Sequence, residues 1–232
     1  MKYENTVEGV FLNRNNRFIA RVLINDKEEI VHVPNTGRCK EILIPNTKII
    51  LQKTNNENRK TKYSLISAYK ENNLINIDSQ SPNKIAYEAL LNKKILKNIN
   101  ITLIKKEKKF GNSRFDLYYE GIRNNNEVKG FIEVKGVTLE ENKLAMFPDA
   151  PTIRGVKHIE ELIFAKSIGY EANILFIIQM KGVKNFTPNY KMHKEFYDAI
   201  KKASINKVNI LAYDSKVTRD EVVLDKPIDI II

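Results

Sequence analysis

The sequence predicts an α/β protein of two domains, an oligonucleotide-binding (OB)-like β-barrel over residues 1–80 and an α/β domain with a mixed central sheet over 81–232. Three observations predict it. Short β-type runs separated by Asn-rich or charged turns fill Val7 to Ile77, where nothing reads as a long helix. Asp78-Ser79-Gln80-Ser81-Pro82-Asn83 then breaks that pattern and offers a helix start. Beyond it, amphipathic helical periods alternate with extended runs. At 232 residues and 42% hydrophobic residues, the chain is long enough to build two small cores.

In the first domain the β-type runs fall near 7–12, 17–24, 30–33, 48–53, 63–69 and 74–77. Five or so strands in about seventy residues suit a small closed barrel. The OB fold is the commonest such barrel in basic proteins, and an SH3-like barrel fits almost as well. The polar clusters Asn55–Asn58 and Asn124–Asn126 read as loops. In the second domain a helix is expected over about 83–98 with Ile85, Ala89 and Leu96 on one face, followed by extended runs at 101–110, 114–119 and 129–139. Between about 152 and 168, Val156, Ile159 and Ile163 form an apolar stripe, and Arg154, His158 and Glu161 share another face. Ala172–Ile178 is almost unbroken apolar sequence, as in a central strand covered on both faces. A helix carrying Phe196, Ile200 and Ala203 then leads to a strand over 208–213.

Charge narrows the partners. Lys and Arg number 39 against 28 Asp and Glu, a net charge of +11 with a pI near 9.5, which favours polyanions such as DNA or RNA through counterion release. A biased genome composition is the other source of such an excess. The single cysteine, Cys39, excludes an internal disulfide and an all-cysteine metal cluster and suits a reducing compartment. With no apolar leader in Met1–Asn5 and no membrane-length apolar run, a cytoplasmic protein without a membrane partner is expected. The absence of Trp counts against a carbohydrate-cleaving cleft lined by stacking rings.

Glu-x-Lys occurs four times, at 107/109, 127/129, 133/135 and 141/143, and only Glu133 and Lys135 sit inside a clean β run, Gly130–Val137. Period-2 geometry points both charges to one face, with Ile132 and Val134 on the other. Burying ionised groups without compensation costs several kcal/mol each, so a metal, a partner or solvent access is implied. The run Arg114–Tyr119 also carries one carboxylate, Asp116, and antiparallel pairing would lay it beside Glu133. Two carboxylates together are what Mg²⁺ (or Mn²⁺) requires, with the remaining positions left to water and a substrate phosphate. Asp116, Glu133 and Lys135 are therefore the candidate catalytic residues for phosphodiester hydrolysis, with Asp116 and Glu133 as metal ligands. Spacing alone suits a solvated edge-strand ion pair equally well. Arg154, Lys157 and His158 are placed to grip the phosphate, or form a solvated helix face. Tyr118, Tyr119 and Phe147 are candidates for base stacking or for core packing.

Three stretches carry a family likeness: Gly111–Asp116, Ile132–Leu139 and Phe147–His158. With Phe186-Thr187-Pro188, Arg17-Phe18, His32–Arg38 and Glu41-Ile42-Leu43, they resemble the sugar fermentation stimulation protein A (SfsA) family across essentially the whole chain. The resemblance implies an N-terminal OB-type nucleic-acid-binding domain and a restriction-endonuclease-like domain of the PD-(D/E)xK kind. Asp116 then stands for the motif's Asp, preceded by Phe115 where the motif has Pro, and Glu133 and Lys135 stand for its (D/E)xK. Glu88 is the available helix glutamate that many such nucleases add. Asn35, Thr36, Gly37 and Arg38 read as a turn whose Gly frees backbone N–H groups and whose Arg takes a phosphate, with Arg14 and Arg17 extending the track. A plain surface turn is the alternative. Arg114 is placed among the same nucleic-acid contacts, and His32 and His193 are read as structural. The competing reading is a non-catalytic DNA-binding regulator linked to sugar utilisation.

Overall fold

The computed structural model describes residues 1–56 and 58–232; Glu57, inside the Asn55–Asn58 cluster expected to be a loop, lies outside the described residues. Six strands come first: β1 (Thr6–Asn16), β2 (Ile19–Ile24), β3 (Lys27–His32), β4 (Lys48–Lys53), β5 (Tyr63–Lys70) and β6 (Asn73–Asn76). They run in the order β3-β2-β1-β4-β5-β6, and β3 also meets β5 in parallel at His32↔Ser64. The closed circuit β1-β2-β3-β5-β4 is the OB arrangement, which decides between the two barrels left open by the sequence. Alternation builds its interior: Ala20, Val22 and Ile24 of β2 point inward with Phe11, Val31 and Leu65. Gly9 lets β1 cross close to its neighbours, since a Cβ there would meet Leu23 O at 2.7 Å and Leu51 Cδ1 at 2.8 Å.

The second domain contains α1 (Ser81–Leu91), β7 (Asn100–Phe110), β8 (Ser113–Arg123), β9 (Asn126–Val137), β10 (Leu139–Glu141) and β11 (Leu144–Phe147). These are followed by α2 (Ile153–Ser167), β12 (Glu171–Ile178), β13 (Asn185–Pro188), α3 (Lys194–Ile205), β14 (Asn209–Val217), β15 (Val222–Pro227) and β16 (Asp229–Ile230). The main sheet has the order β15-β14-β12-β9-β8-β7. It is mixed: β12 lies parallel to both β9 and β14, and the other pairs are antiparallel. α1 covers one face, packing Ile85, Ala86, Ala89 and Leu90 with Ile132, Val134, Leu175 and Ile177. α2 and α3 bring Ile159, Leu162, Phe196 and Ile200 to a core that contains Phe131, Ile174 and Phe176. Among the described residues no helix is long and apolar enough to cross a membrane.

Several expectations are corrected. The helix expected to reach residue 98 ends at Leu91, because Lys93 and Leu96 take left-handed φ of 54° and 49°. The strand expected to reach 139 stops at Val137, and Leu139 begins a separate four-stranded sheet of order β10-β11-β13-β16. Its strands are only two to four residues long, too short to display a period.

Residues 1–80 do not form a closed unit. Tyr3 N donates to Asp220 O at 2.7 Å, and the Met1 ammonium meets Glu88 Oε2 at 2.6 Å. Ile50 and Ile66, whose neighbours in sequence point into the barrel, pack outward with α1. A buried polar network bridges the domains. Asn76 Nδ2 donates to Tyr3 Oη at 3.0 Å and Ile66 O at 2.8 Å, while its Oδ1 accepts from Ser81 Oγ at 2.6 Å and Gln179 Nε2 at 2.8 Å. Tyr3 Oη in turn donates to Asp78 Oδ2 at 3.0 Å. Asn76→Ala strands several of these groups without water, so it should lower the free energy of unfolding by about 2–3 kcal/mol in urea titrations. A loss below about 0.5 kcal/mol would show that the network does not couple the domains.

Candidate active site

Strands β8 and β9 pair in register from Arg123↔Asn126 to Leu117↔Ile132, and the ladder stops there. One step further, Asp116 Oδ2 accepts the Val134 N–H at 2.7 Å where a main-chain carbonyl would otherwise stand. The Asp116 carboxylate therefore sits in the fork of two parting strands. Asn83, in the first turn of α1, donates its Nδ2 to Asp116 Oδ1 at 2.7 Å.

Glu133 and Lys135 lie on β9 with β12 alongside, where their partners are Ile174 and Phe176. An apolar neighbour gives no compensation, so it comes from elsewhere. Lys135 Nζ donates to Glu133 Oε1 at 2.6 Å, and His158 Nδ1 of α2 makes a short contact with the same oxygen. Two features set α2 at this height. Thr152 caps it by accepting Gly155 N at 3.0 Å, and Gly155 allows close approach to α3, since a Cβ there would lie 3.1 Å from Phe196 Cε2. Arg154 Nε lies 3.4 Å from His158 Nε2, so its guanidinium adjoins the site.

The two carboxylates are driven apart electrostatically. Burial and the charge of Glu133 push the Asp116 carboxyl up to about 6. Burial also acts to raise Glu133, but hydrogen bonds from His158 and Lys135 outweigh it and hold the carboxyl below its ordinary value. Glu133 Oε2 is buried and has no hydrogen-bond partner among the described residues. Each Asp116 oxygen accepts a single side-chain or backbone donor and keeps a free lone pair. An orphaned, ionised oxygen beside a second carboxylate fits a divalent cation whose other positions go to water and phosphate oxygens. Among the described residues no three His, Cys, Asp or Glu gather into a fuller ligand set. Glu88, the candidate third acid, is taken by the N-terminal ammonium.

The other predicted contacts divide. His158, expected on an exposed phosphate-gripping face, is 5% exposed and holds Glu133 instead, since α2 turns that edge toward the sheet. Arg14, expected on the phosphate track, is also corrected: its terminal nitrogens donate to the carbonyls of Arg17, Asn35, Gly37 and Arg38, so it ties the 35–38 turn together. Asn35 belongs to the same scaffold, accepting Gly37 N at 2.7 Å and donating to Ile77 O at 2.8 Å. Gly37 packs against Asp149, whose Oδ2 would lie 2.8 Å from an added Cβ. Arg17, Thr36 and Arg38 are exposed and line a groove of about 1410 Å³ between the barrel and the loop leading into α2. Arg114 and Lys157 are exposed near the β7–β8 hairpin; Arg114 pairs with Glu107 at 3.2 Å and Lys157 Nζ donates to Asn112 O at 3.1 Å. Tyr118 and Tyr119 are core residues, while Phe147 packs on Phe176 and Phe196 and is half-buried at the edge of the groove. Asn83 escaped the sequence reading; its place in the first turn after the domain boundary is the only signal it gives.

Fold and site together define a class: an OB barrel joined to a mixed-sheet α/β domain that carries two carboxylates and a lysine where its central strands part. The SfsA N-terminal OB domain model matches residues 12–77, and the sugar fermentation stimulation protein RE domain model matches residues 80–221. The chain belongs to the sugar fermentation stimulation protein (SfsA) family. It is 52% identical over 231 residues to the sugar fermentation stimulation protein homolog of Alkaliphilus oremlandii, covering 99% of this chain and 98% of the relative. It is 56% identical over 227 residues to the homolog of Clostridium botulinum strain Langeland, covering 98% and 97%. The structure of Pyrococcus furiosus SfsA in complex with Ca²⁺ superposes with a TM-score of 0.84 at 29% identity, covering 100% of this chain and 98% of that one.

A raised carboxyl has a definite linkage sign. With its folded value near 6 and an ordinary value of 3.8, Asp116 favours the folded state below about pH 4, and that contribution is lost as pH rises through 6. In chelator, Asp116→Asn should therefore be more stable than wild type at pH 7.5, by on the order of 2 kcal/mol, and the advantage should vanish near pH 4. Urea titrations at the two pH values check this; equal effects at both would contradict it.

Proposed function

We propose that this protein is a metal-dependent nuclease that hydrolyses phosphodiester bonds of DNA or RNA at Asp116, Glu133 and Lys135. The observation that carries the reading is Glu133 Oε2, ionised, buried and without a partner, beside a second carboxylate. Asp116 and Glu133 would hold Mg²⁺ or Mn²⁺, which would supply an activated water and neutralise negative charge developing on the phosphoryl oxygens. The chain's own residues do the rest. His158 occupies Glu133 Oε1 and so keeps Oε2 directed away for ligation. The Val134 N–H and Asn83 hold the Asp116 carboxylate in one orientation. Lys135, 2.6 Å from Glu133, is placed to orient the attacking water or to stabilise the developing oxyanion. Arg154, beside His158, meets the phosphate.

The net charge of +11 supports a polyanionic substrate, and the Ca²⁺ in the Pyrococcus furiosus relative supports a cation that takes oxygen ligands. A cytoplasmic setting accords with the single buried, unpaired thiol of Cys39. The second reading, a DNA-binding regulator without turnover, draws on the family's name. It leaves unexplained why two carboxylates stand where a phosphate must approach, since they repel polyanions unless a cation intervenes.

The test incubates wild type, Glu133→Ala and His158→Ala with end-labelled single- and double-stranded DNA and RNA, in Mg²⁺, Mn²⁺ or chelator. Metal-dependent cleavage by wild type, abolished in Glu133→Ala and reduced about 10–100-fold in His158→Ala, is expected. Tight binding with no cleavage in any condition would leave the regulator.

A further inference from the structure

The edge strand of the main sheet carries charge that the catalytic reading does not use. Between residues 105 and 109, β7 reads Lys105-Lys106-Glu107-Lys108-Lys109, all exposed. Its pairing with β8 sets Lys106 opposite Leu117 and Lys108 opposite Phe115, so Glu107 falls level with Asp116 and the lysines stand on either side of it, on the side away from β9. Lys109 stands directly opposite Arg114. Like charges in register across a strand pair are destabilising, and Glu107, 3.2 Å from Arg114, is the one acid of the five-residue run. Lysine on a sheet edge guards it against mispairing, a role that does not call for Lys109 to stand opposite Arg114.

The strand that carries these charges is anchored at its end. Phe110, at the end of β7, packs on Phe115, Phe131, Phe164 and Tyr170 with ring centroids 5.0–6.0 Å apart, and Lys157 Nζ ties the hairpin turn to α2 through Asn112 O at 3.1 Å. The rings of the hairpin and of α1 beside it are covered, while Phe164 of α2, next to Phe110, is 56% exposed. Lys106 Nζ covers Tyr87 at 4.2 Å from the ring centroid, and Tyr118 is buried with Lys108 Nζ 5.7 Å from its centroid.

We propose that the β7–β8 hairpin is a phosphate track for duplex nucleic acid, laying one backbone across Asp116 through Lys105, Lys106, Lys108 and Lys109. A row of four cations with a single exposed ring at its end suits a strand whose bases remain paired, whereas single strands are held by successive aromatic rings as well as charge. The position of the scissile phosphate rests on the nuclease reading; the binding itself is measured without cleavage.

The test is fluorescence anisotropy of full-length protein in Ca²⁺ with a labelled 20-base-pair DNA duplex and a 20-nucleotide single strand, from 50 to 200 mM salt. Wild type is compared with the quadruple variant K105Q/K106Q/K108Q/K109Q. A control, K27Q/K48Q/K201Q/K207Q, removes the same charge from exposed lysines elsewhere. For the duplex, the track variant should flatten the slope of log affinity against log salt by about 2–3, as expected for the loss of several phosphate contacts, and weaken binding more than tenfold. The control should change the slope by less than about 1, and the single strand should respond less than the duplex. The double variants K105Q/K106Q and K108Q/K109Q should each give about half the effect, which keeps the test valid if the quadruple variant folds poorly. Equal losses in track and control, or a larger loss for the single strand, would overturn the track. Wild type that cleaves nothing while the track variant loses its slope would sink the nuclease reading and leave the track standing; cleavage by wild type with an unchanged slope would do the reverse.

Discussion

Glu133 is 2% exposed, sits on a strand flanked by the apolar β12, and carries a negative charge. An ionised group in that position costs several kcal/mol unless it is paired and hydrogen-bonded, and most of the second domain's local geometry meets that requirement. Lys135 supplies one donor from two residues along the same strand. The other, His158, must come from above the sheet, which fixes the rotation of α2 and turns a polar residue into its buried face. The Thr152 cap and the close passage at Gly155 hold α2 in that position. Only Oε2 is left without a donor, and it is the atom that gives the site a use for a cation.

The parting of β8 and β9 answers a second constraint. The ladder stops at Leu117↔Ile132, and the Asp116 side chain supplies the acceptor for Val134 N–H that the neighbouring strand no longer offers. α1 contributes Asn83 to the same carboxylate, and α1 is anchored to the barrel side through Ser81, Asn76 and Gln179. The OB barrel is thus part of the support of the site. Its 35–38 turn, held by Arg14, lies across from Gly136, which directly follows Lys135. A Cβ on Gly136 would come within 2.7 Å of Pro82 and 2.6 Å of Gln179, so strand, helix and interdomain network meet at that residue.

What was legible in the sequence followed from period and polarity. Strand β2 of the barrel alternates, Ala172–Ile178 in the central strand is apolar but for Asn173, and a Glu and a Lys inside the Gly130–Val137 run are conspicuous because nothing apolar explains them. Failures arose where one residue serves two environments. His158 shares an edge of α2 with Arg154 and reads as solvent-facing until the partner strand is known. Arg14 gives no sequence sign that four carbonyls will surround it. The end of α1 has no Gly or Pro to mark it; Lys93 and Leu96 adopt left-handed conformations under tertiary packing, with Ile95 and Ile99 drawn into the core. The small sheet joins β11 to β13 and β13 to β16 across separations such as Leu144↔Asn185 and Asn185↔Asp229, and such pairing leaves no local trace.

Diffraction from crystals soaked in Mn²⁺, with anomalous difference maps, bears most directly on whether the paired carboxylates are a metal site. A single ion about 2.0–2.2 Å from oxygens of both Asp116 and Glu133, with Glu133 Oε2 among its ligands, is the expected result. Ordered Asp116 and Glu133 side chains with no ion between them at millimolar Mn²⁺ would contradict it and leave Glu133 and Lys135 as a buried structural pair.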